Sequence, residues 1–199
     1  GGGIFGAGGR YGGGARPVLT EDLEGYGDVD FVTWWPGIWD EDSLRNVGSS
    51  LTFWINTGRG AFQQGFVVKN ASGIVPADFD GDRRVDAAFR PTRGWGSKIS
   101  VGWNNGAADF AERTEVALKS TPGLLRAADL DGDQDVDLLV SVGTLSVAWI
   151  RNDGARTFAE PLPLDLPVGP SDLLVEDLDA DGRVDVVALY VATRRLSVV

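Results

Sequence analysis

Residues 129–137 read Asp-Leu-Asp-Gly-Asp-Gln-Asp-Val-Asp, and the apolar run Leu138-Leu139-Val140 follows directly. Five carboxylates in nine residues repel one another strongly unless a cation lies between them, because no lysine or arginine stands among them. Hard divalent cations prefer oxygen ligands, and calcium accepts about six to eight of them in a tolerant geometry. The stretch therefore predicts a calcium-binding loop that leads into a β-strand.

This acidic loop recurs along the chain. Residues 78–86 and 177–185 are further copies, and residues 22–30 form a degenerate one. In all four copies the first and ninth residues are aspartates, and a valine precedes the last aspartate. The copies begin at residues 22, 78, 129 and 177, so their starts are 56, 51 and 48 residues apart. A period of about 50 residues indicates a repeat architecture.

A second motif falls between the acidic loops. In residues 54–62, 103–110 and 149–158 a tryptophan is followed by an Asn/Gly-containing turn and then by a phenylalanine. Asn-Gly and Asp-Gly pairs supply the positive φ angles that tight hairpins need. Because Trp54, Trp103 and Trp149 recur, we expect them to occupy equivalent positions and to pack between repeats.

One repeat can be divided into four predicted strands, at residues 73–79, 85–89, 98–103 and 110–118. In the third of these, Ile99, Val101 and Trp103 alternate with Ser100 and Gly102, which is typical of a strand. No apolar run has a sustained 3.6-residue period, so the sequence predicts essentially no helix. The fold class is therefore all-β, a β-propeller of four-stranded antiparallel blades.

The repeats predict about four blades, the first and last of them partial. In a propeller meander the loops between the first and second strands lie at one end of each blade, so the calcium loops share one face. The chain contains no methionine, and residues 196–199 align with residues 145–148. We therefore expect a segment of a larger propeller. The divisions are a glycine-rich lead-in or end of a preceding blade (1–16), blade 1 (17–72), blade 2 (73–123), blade 3 (124–171) and the incomplete blade 4 (172–199).

The two motifs together resemble the FG-GAP/VCBS repeat family, which includes the calcium-binding propellers of integrin α-subunits. The resemblance covers roughly residues 17–199 and implies about three Ca²⁺ sites, with a fourth, weak site in the first loop. It implies carboxylate ligands at Asp78, Asp80, Asp82, Asp86, Asp129, Asp131, Asp133, Asp137, Asp177, Asp179, Asp181 and Asp185. It implies backbone carbonyl ligands at Arg84, Asp135 and Arg183, and weak ligands at Asp22, Glu24, Asp28 and Asp30.

Some positions depart from the family pattern. The family often has glycine at loop positions 4 and 6, whereas Arg83 and Gln134 stand at position 6 here, where we expect a positive φ. In the first loop Tyr26 replaces a carboxylate, so this site should be weak or empty.

An EF-hand also begins with alternating aspartates, but it requires a glutamate at position 12 and flanking helices. Position 12 is Phe89, Val140 or Ala188 in these loops, and the flanks are predicted strands. The sequence thus excludes an EF-hand. The alternative that stays open is a set of solvated acidic turns without metal.

Four tryptophans do not recur, and we predict that they bind a ligand. We place Trp34, Trp35, Trp39 and Trp95 in connections between second and third strands, on the face away from the calcium loops. The first of these connections is enlarged, over about residues 34–50, and it could form a sugar-stacking platform. The alternative is that these side chains cover blade edges or an interface. Asn70 begins a glycosylation sequon in a predicted connection between blades.

The composition limits the function. The net charge of −11 argues against nucleic acid and anionic membrane as partners, and no apolar run approaches the roughly 20 residues of a membrane span. The chain has no His and no Cys, which excludes Ser-His-Asp triads, Cys-His pairs and histidine metal sites.

We expect a non-enzymatic, extracellular or cell-surface module for adhesion, glycan binding or assembly of a surface structure. Its partners would be a carbohydrate or another extracellular protein, together with the rest of a longer chain that completes the propeller. Two alternatives remain open. One is a propeller-based polysaccharide lyase or glycoside hydrolase that uses carboxylates such as Asp40 and Asp42. The other is a purely structural building block of a filament, sheath or cell wall.

Overall fold

The computed structural model describes residues 15–42, 45–58, 60–92, 96–144, 146–166 and 169–199. These residues form β-strands, turns and loops, and no helix occurs among them. None of them therefore belongs to a helix long and apolar enough to cross a membrane. The strands group into four antiparallel sheets that follow one another along the chain, as expected for successive propeller blades.

Blade 1 pairs its strands in the order β1-β2-β5-β6 and carries a small hairpin, β3-β4, inserted between its second and third strands. These elements are β1 (Arg16–Glu21), β2 (Asp30–Trp35), β3 (Ile38–Asp40), β4 (Arg45–Val47), β5 (Ser50–Asn56) and β6 (Phe62–Lys69). The hairpin accounts for the enlarged connection seen in the sequence. The first blade thus has a full set of four strands, where the sequence predicted a partial one.

Blades 2 and 3 are four-stranded meanders, and blade 4 has three strands. Blade 2 consists of β7 (Ala71–Ala77), β8 (Asp86–Pro91), β9 (Lys98–Gly102) and β10 (Arg113–Ala117). Blade 3 consists of β11 (Pro122–Ala128), β12 (Asp137–Val142), β13 (Ser146–Ile150) and β14 (Leu162–Leu164). Blade 4 consists of β15 (Asp172–Glu176), β16 (Asp185–Tyr190) and β17 (Arg195–Val198). The predicted strands of blade 2 are confirmed, with ends displaced by up to three residues.

Three apolar cores hold the blades together, one at each junction. Side chains alternate across a strand, so each blade presents one set to the preceding blade and another to the following blade. In blade 2, Phe89 and Phe110 pack against Phe53 of blade 1. On the other face, Ile99 and Val101 pack in the core shared with blade 3. Leu139 and Tyr190 belong to the third core, between blades 3 and 4.

The three recurring tryptophans do not occupy equivalent positions, contrary to the sequence prediction. Trp54 pairs with Phe31, one residue after the last aspartate of its loop, whereas Trp149 pairs with Leu139, two residues after it. Trp103 follows Gly102, the partner of Ala87, and so lies opposite the loop aspartate itself. Because one step along a strand reverses the direction of a side chain, Trp103 lies in the core between blades 2 and 3 while Trp54 stacks on Phe31 of its own blade.

Candidate metal centre

Each acidic loop is shaped by its first aspartate. The carboxylate of Asp78 accepts backbone N–H groups from Gly81 at 2.8 Å and Arg83 at 2.7 Å. Asp129 accepts the equivalent bonds from Gly132 and Gln134, at 2.7 and 2.9 Å. A short side chain that bonds to the backbone a few residues ahead stabilises a turn against alternative conformations. The first position therefore folds the loop, and the same pattern recurs at Asp22 and Asp177.

The loop backbone is left-handed at positions 4 and 6 in all four copies. Glycine adopts this conformation without strain, but other residues do so at a cost of about 1–2 kcal/mol. Arg83 has φ 69° and Gln134 has φ 76°, which confirms the positive φ expected at position 6. Ala180 has φ 62° at position 4 of the last loop. The loop geometry thus outweighs the local preference of these residues.

The last aspartate of each loop is the link to the rest of its blade. Asp86 and Asp137 are fully buried at the start of their strands. Asp86 accepts the N–H of Phe79 at 3.1 Å and that of Asn104 at 2.7 Å. Asp137 accepts the N–H of Leu130 at 3.1 Å and that of Asn152 at 2.7 Å. One carboxylate therefore fixes both the entrance of the loop and the turn after the third strand.

Burial disfavours the charged form of these carboxylates. Desolvation raises the pKa of Asp86 to about 6, although hydrogen bonds from Asn104 and Phe79 act in the opposite direction. Desolvation also raises the pKa of Asp137. A cation between the carboxylates would favour their charged form, so such a group gains more from a bound ion than an exposed carboxylate does.

Three loops gather carboxylates into compact clusters. In each cluster one oxygen from positions 1, 3 and 9 lies within 4.8 Å of the others. The clusters are Asp78, Asp80 and Asp86; Asp129, Asp131 and Asp137; and Asp177, Asp179 and Asp185. All the donors are oxygens, the type that calcium and magnesium prefer. The residues present therefore fit a hard divalent cation, and the tolerant geometry of calcium suits a loop of this kind.

The aspartates at position 5 have a different role in this structure. Asp82, Asp133 and Asp181 each accept the backbone N–H of position 7, at 2.8 to 2.9 Å. They lie outside the three clusters, so their predicted role as ligands stays a prediction. The same holds for the backbone carbonyl ligands predicted at Arg84, Asp135 and Arg183, the residues that donate those N–H groups.

The first loop folds in the same way without gathering such a cluster. Among the described residues, three-carboxylate clusters occur in the other loops alone. Asp30 is buried and bonds to Leu23 and Asn56, so the scaffold is retained. Desolvation and the neighbouring carboxylates raise the pKa of Glu24, and Tyr26 is 79% exposed. That the site at residues 22–30 is weak or empty stays a prediction.

In blades 2 and 3 a buried asparagine connects the acidic loop to the loop of the preceding blade. The Asn152 side chain donates to Val136 O of its own blade at 3.1 Å and to Phe79 O of blade 2 at 2.7 Å. Asn104 likewise donates to Val85 O at 2.9 Å and to Leu23 O of blade 1 at 2.7 Å. Both acceptors across the junction are the second residue of an acidic loop. Asp86 and Asp137, carboxylates of two successive clusters, are thus joined through Phe79 and Asn152 by three hydrogen bonds.

Sequence reasoning did not find this role. The signal was present, because the asparagine stands six residues before the phenylalanine in every copy: Asn56 and Phe62, Asn104 and Phe110, Asn152 and Phe158. By itself that spacing predicts only a hairpin turn. The turn does exist, since Asn152 also accepts the N–H of Gly154 at 3.1 Å, but the side chain serves the junction as well.

The cluster in blade 2 has internal counter-ions. Arg156, from the turn of blade 3, donates to Asp80 through two nitrogens at 2.9 and 2.8 Å. The same guanidinium pairs with Glu112 at 3.0 Å and lies over the Trp103 ring, 5.2 Å from its centroid. Arg84 pairs with Asp82. Two arginines therefore neutralise part of the charge of this loop. Arg84 belongs to the loop itself, and Arg156 reaches it from the next blade.

Two of the four non-recurring tryptophans, Trp34 and Trp35, are placed differently from the sequence prediction, whereas Trp39 lies in the predicted connection. Trp34 and Trp35 are the last residues of β2 and do not belong to the connection that follows it. Trp34 packs against the core between blades 1 and 2, and its buried indole N–H has no hydrogen-bond partner among the described residues. Trp39 lies on β3 of the inserted hairpin, and Trp95 lies outside the described residues. Their role in ligand binding stays a prediction.

Two further predicted positions can be located. Asn70 forms the one-residue connection between β6 and β7, as expected for a link between blades, and it has φ 59°. Asp40 ends β3, and Asp42 is exposed in the turn that follows.

A family model described as FG-GAP-like repeat matches the chain twice, over residues 78–140 and 129–188. Together the two matches span residues 78–188, more than half of the 199 residues. Each match starts at the first aspartate of an acidic loop and continues through the next loop into the strand behind it. No curated protein matches the chain.

Proposed function

The chain belongs to the FG-GAP-like repeat family, and we propose on this basis that it is a calcium-binding β-propeller module that acts outside the cell without catalysis. Its role would be adhesion, glycan binding or the assembly of a surface structure. The observation that carries the proposal is the set of three carboxylate clusters on equivalent loops. Calcium at the millimolar concentrations found outside cells would occupy such sites even at modest affinity.

Bound calcium would stabilise the fold. Without a bound ion the carboxylates of each acidic loop repel one another. Three Ca²⁺ ions would change the net charge from −11 to −5. At about 1 mM calcium and a Kd of about 10⁻⁴ M, each site contributes roughly 1.4 kcal/mol. Three sites then contribute about 4 kcal/mol, a large share of a typical net stability of about 5–15 kcal/mol.

The test is a calcium titration by calorimetry, combined with thermal melting with and without EDTA. We expect about three sites and a melting temperature that falls when calcium is removed. Asp129→Asn should abolish one site, because Asp129 both folds its loop and belongs to the cluster. Asp153→Asn is the matched control, since Asp153 pairs with Arg151 outside the cluster. An unchanged melting temperature in EDTA would refute the proposal.

The outer face of blade 4 supports a role in a larger assembly. Val147 of blade 3 is fully buried against blade 4. By strand register its counterpart in blade 4 is Leu196, two residues before the position that the sequence alignment of the repeats suggests, and Leu196 is 64% exposed. Leu174, Leu189 and Val198 are also exposed, at 51%, 42% and 52%, and the strand register places them on the same face. A contiguous apolar face of this kind marks an interaction surface. The partner we propose is a further blade, supplied by a longer chain.

This part of the proposal has its own test. Leu196→Glu should reduce the binding of a hydrophobic dye such as ANS to the protein, while Leu178→Glu, at a loop residue that is 52% exposed, should change it less. A reduction of equal size in both variants would contradict the assignment of this face.

A further inference from the structure

A groove between blades 1 and 2 concentrates positive charge in an otherwise acidic protein. It has a volume of about 210 Å³ and lies at the end of the blades away from the acidic loops. Lys69, Arg90, Lys98 and Arg113 line it, and Glu115 is its one carboxylate. Lys69, Lys98 and Arg113 thus bring three positive charges against one negative charge in a chain whose net charge is −11, while the Arg90 side chain lies over Gly73. Such a reversal of sign creates a local potential that attracts anions.

Most of these cations are not neutralised by the protein. Glu115 pairs with Lys98 at 2.6 Å and accepts a hydrogen bond from Ser100 at 2.9 Å, so both its oxygens are engaged. Within the described residues, neither Arg90 nor Arg113 contacts a carboxylate. Arg90 donates to the Ser72 hydroxyl at 2.9 Å, and Arg113 donates to Phe110 O at 2.8 Å.

Arg113 is also held in position by two aromatic rings. The Arg113 guanidinium lies 5.3 Å from the centroid of the Phe66 ring and 5.7 Å from that of Phe89. An oxyanion in the groove would supply a counter-charge to Arg113, because a planar guanidinium binds carboxylate and sulfate oxygens with defined geometry.

We propose that this groove binds the carboxylate or sulfate groups of an acidic polysaccharide. The choice of a polysaccharide rests on the glycan-binding role proposed above, whereas the choice of an oxyanion rests on the groove itself. The groove opens along the blade junction at Lys69, which is exposed, so a group carried on a long chain can enter it. The overall negative charge repels polyanions elsewhere on the described surface, which confines binding to this place.

The test measures the binding of short oligogalacturonate, dextran sulfate and uncharged dextran to the full chain at low salt. We expect one or both charged probes to bind, with an affinity that falls as salt is added, and dextran not to bind. The first two probes separate carboxylate from sulfate recognition. If neither charged probe binds, the proposal that the groove binds anions is overturned. The calcium proposal would remain, because it is tested separately by melting with and without EDTA.

Three variants locate the site. Lys69→Gln should weaken binding about fivefold, and Glu115→Gln should strengthen it by a similar factor, since a unit charge in contact at a protein surface contributes about that much. Lys119→Gln makes the same charge change at an exposed residue between β10 and β11 and should leave the affinity unchanged. Equal effects of the two lysine variants would mean non-specific attraction. Binding unaffected by both Lys69→Gln and Glu115→Gln would mean bridging by calcium. Either result would overturn the proposal.

Discussion

The asparagines that cross the first two blade junctions should be among the most sensitive positions in the protein. Asn152 is fully buried, and its side chain makes three hydrogen bonds: two donated to Phe79 O and Val136 O and one accepted from Gly154. A hydrogen bond contributes about 1 kcal/mol net, and a buried group left unpaired costs about 1–3 kcal/mol. Asn152→Ala should therefore lower the free energy of unfolding by about 3–4 kcal/mol.

Asn56 provides the matched control. It occupies the same place in blade 1, where its side chain donates to Val29 O at 3.2 Å and accepts from Gly58 at 3.0 Å. The described residues include no blade before it, so its side chain makes no bond across a junction. Asn56→Ala should therefore cost less, about 1–2 kcal/mol.

The assay is urea unfolding in saturating calcium, followed by tryptophan fluorescence. With an m-value of about 2–3 kcal/mol/M, the Asn152 variant should unfold at a urea concentration lower by about 1–2 M. The Asn56 variant should shift by about half as much. Equal shifts in the two variants would refute the idea that the bond across the junction matters, and a shift below about 0.3 M for Asn152→Ala would refute the burial argument as well.

Three further predictions concern the loops. Gln134→Gly should stabilise the protein by about 0.5–1 kcal/mol in thermal melts, because φ at this position is 76°, whereas Ala107→Gly, which relieves no positive φ, should not; a loss of stability in Gln134→Gly would contradict the strain. Burial raises the pKa of Asp86 to about 6 in the ion-free folded protein, whereas the unfolded chain loses this proton above about pH 4. The contribution of protonated Asp86 to folding stability is therefore fully present below about pH 4 and is lost as pH rises through about 6. Calcium binding at pH 5.5 should release protons, and calorimetry in two buffers of different ionisation enthalpy that detects no proton release would contradict this prediction. Arg156→Gln should raise the calcium affinity of blade 2 about fivefold by freeing its carboxylate partner, and a similar rise in Arg151→Gln, whose partner lies outside the clusters, would show that general charge alone is responsible.

The fold could be predicted from the sequence because the same loop-and-strand motif occurs in four copies. The nine-residue loops fixed the ends of the first two strands in each blade, and the alternation around Ile99 and Val101 fixed the third. The strand ends away from the acidic loops were predicted less accurately. Pairing extends β8 to Pro91, beyond the apolar run, and β10 begins only at Arg113. The carboxylates at positions 1, 3 and 9 were correctly grouped because they are close in sequence.

Contacts between distant residues were not accessible. Arg156 is 76 residues from Asp80, and no local pattern indicates that one turn of blade 3 reaches the loop of blade 2. The prediction that the three recurring tryptophans occupy equivalent positions was wrong for a different reason. They recur in composition, but the third strands of the blades carry them one step apart in register, and a single step reverses the face. Similarity of motif therefore did not imply equivalence of position.

If calcium occupies the clusters as proposed, the bond between Asn152 and Phe79 couples one site to the next. A cation that draws Asp86 into its site also immobilises Phe79, whose carbonyl anchors the following blade, and Asn152 in turn bonds to Asp137 of the next site. Occupation of one loop thus orders part of its neighbour in advance. Stacked repeats with such nearest-neighbour coupling behave as a one-dimensional cooperative lattice. The titration curve should accordingly be steeper than that of independent sites, with adjacent blades filling together.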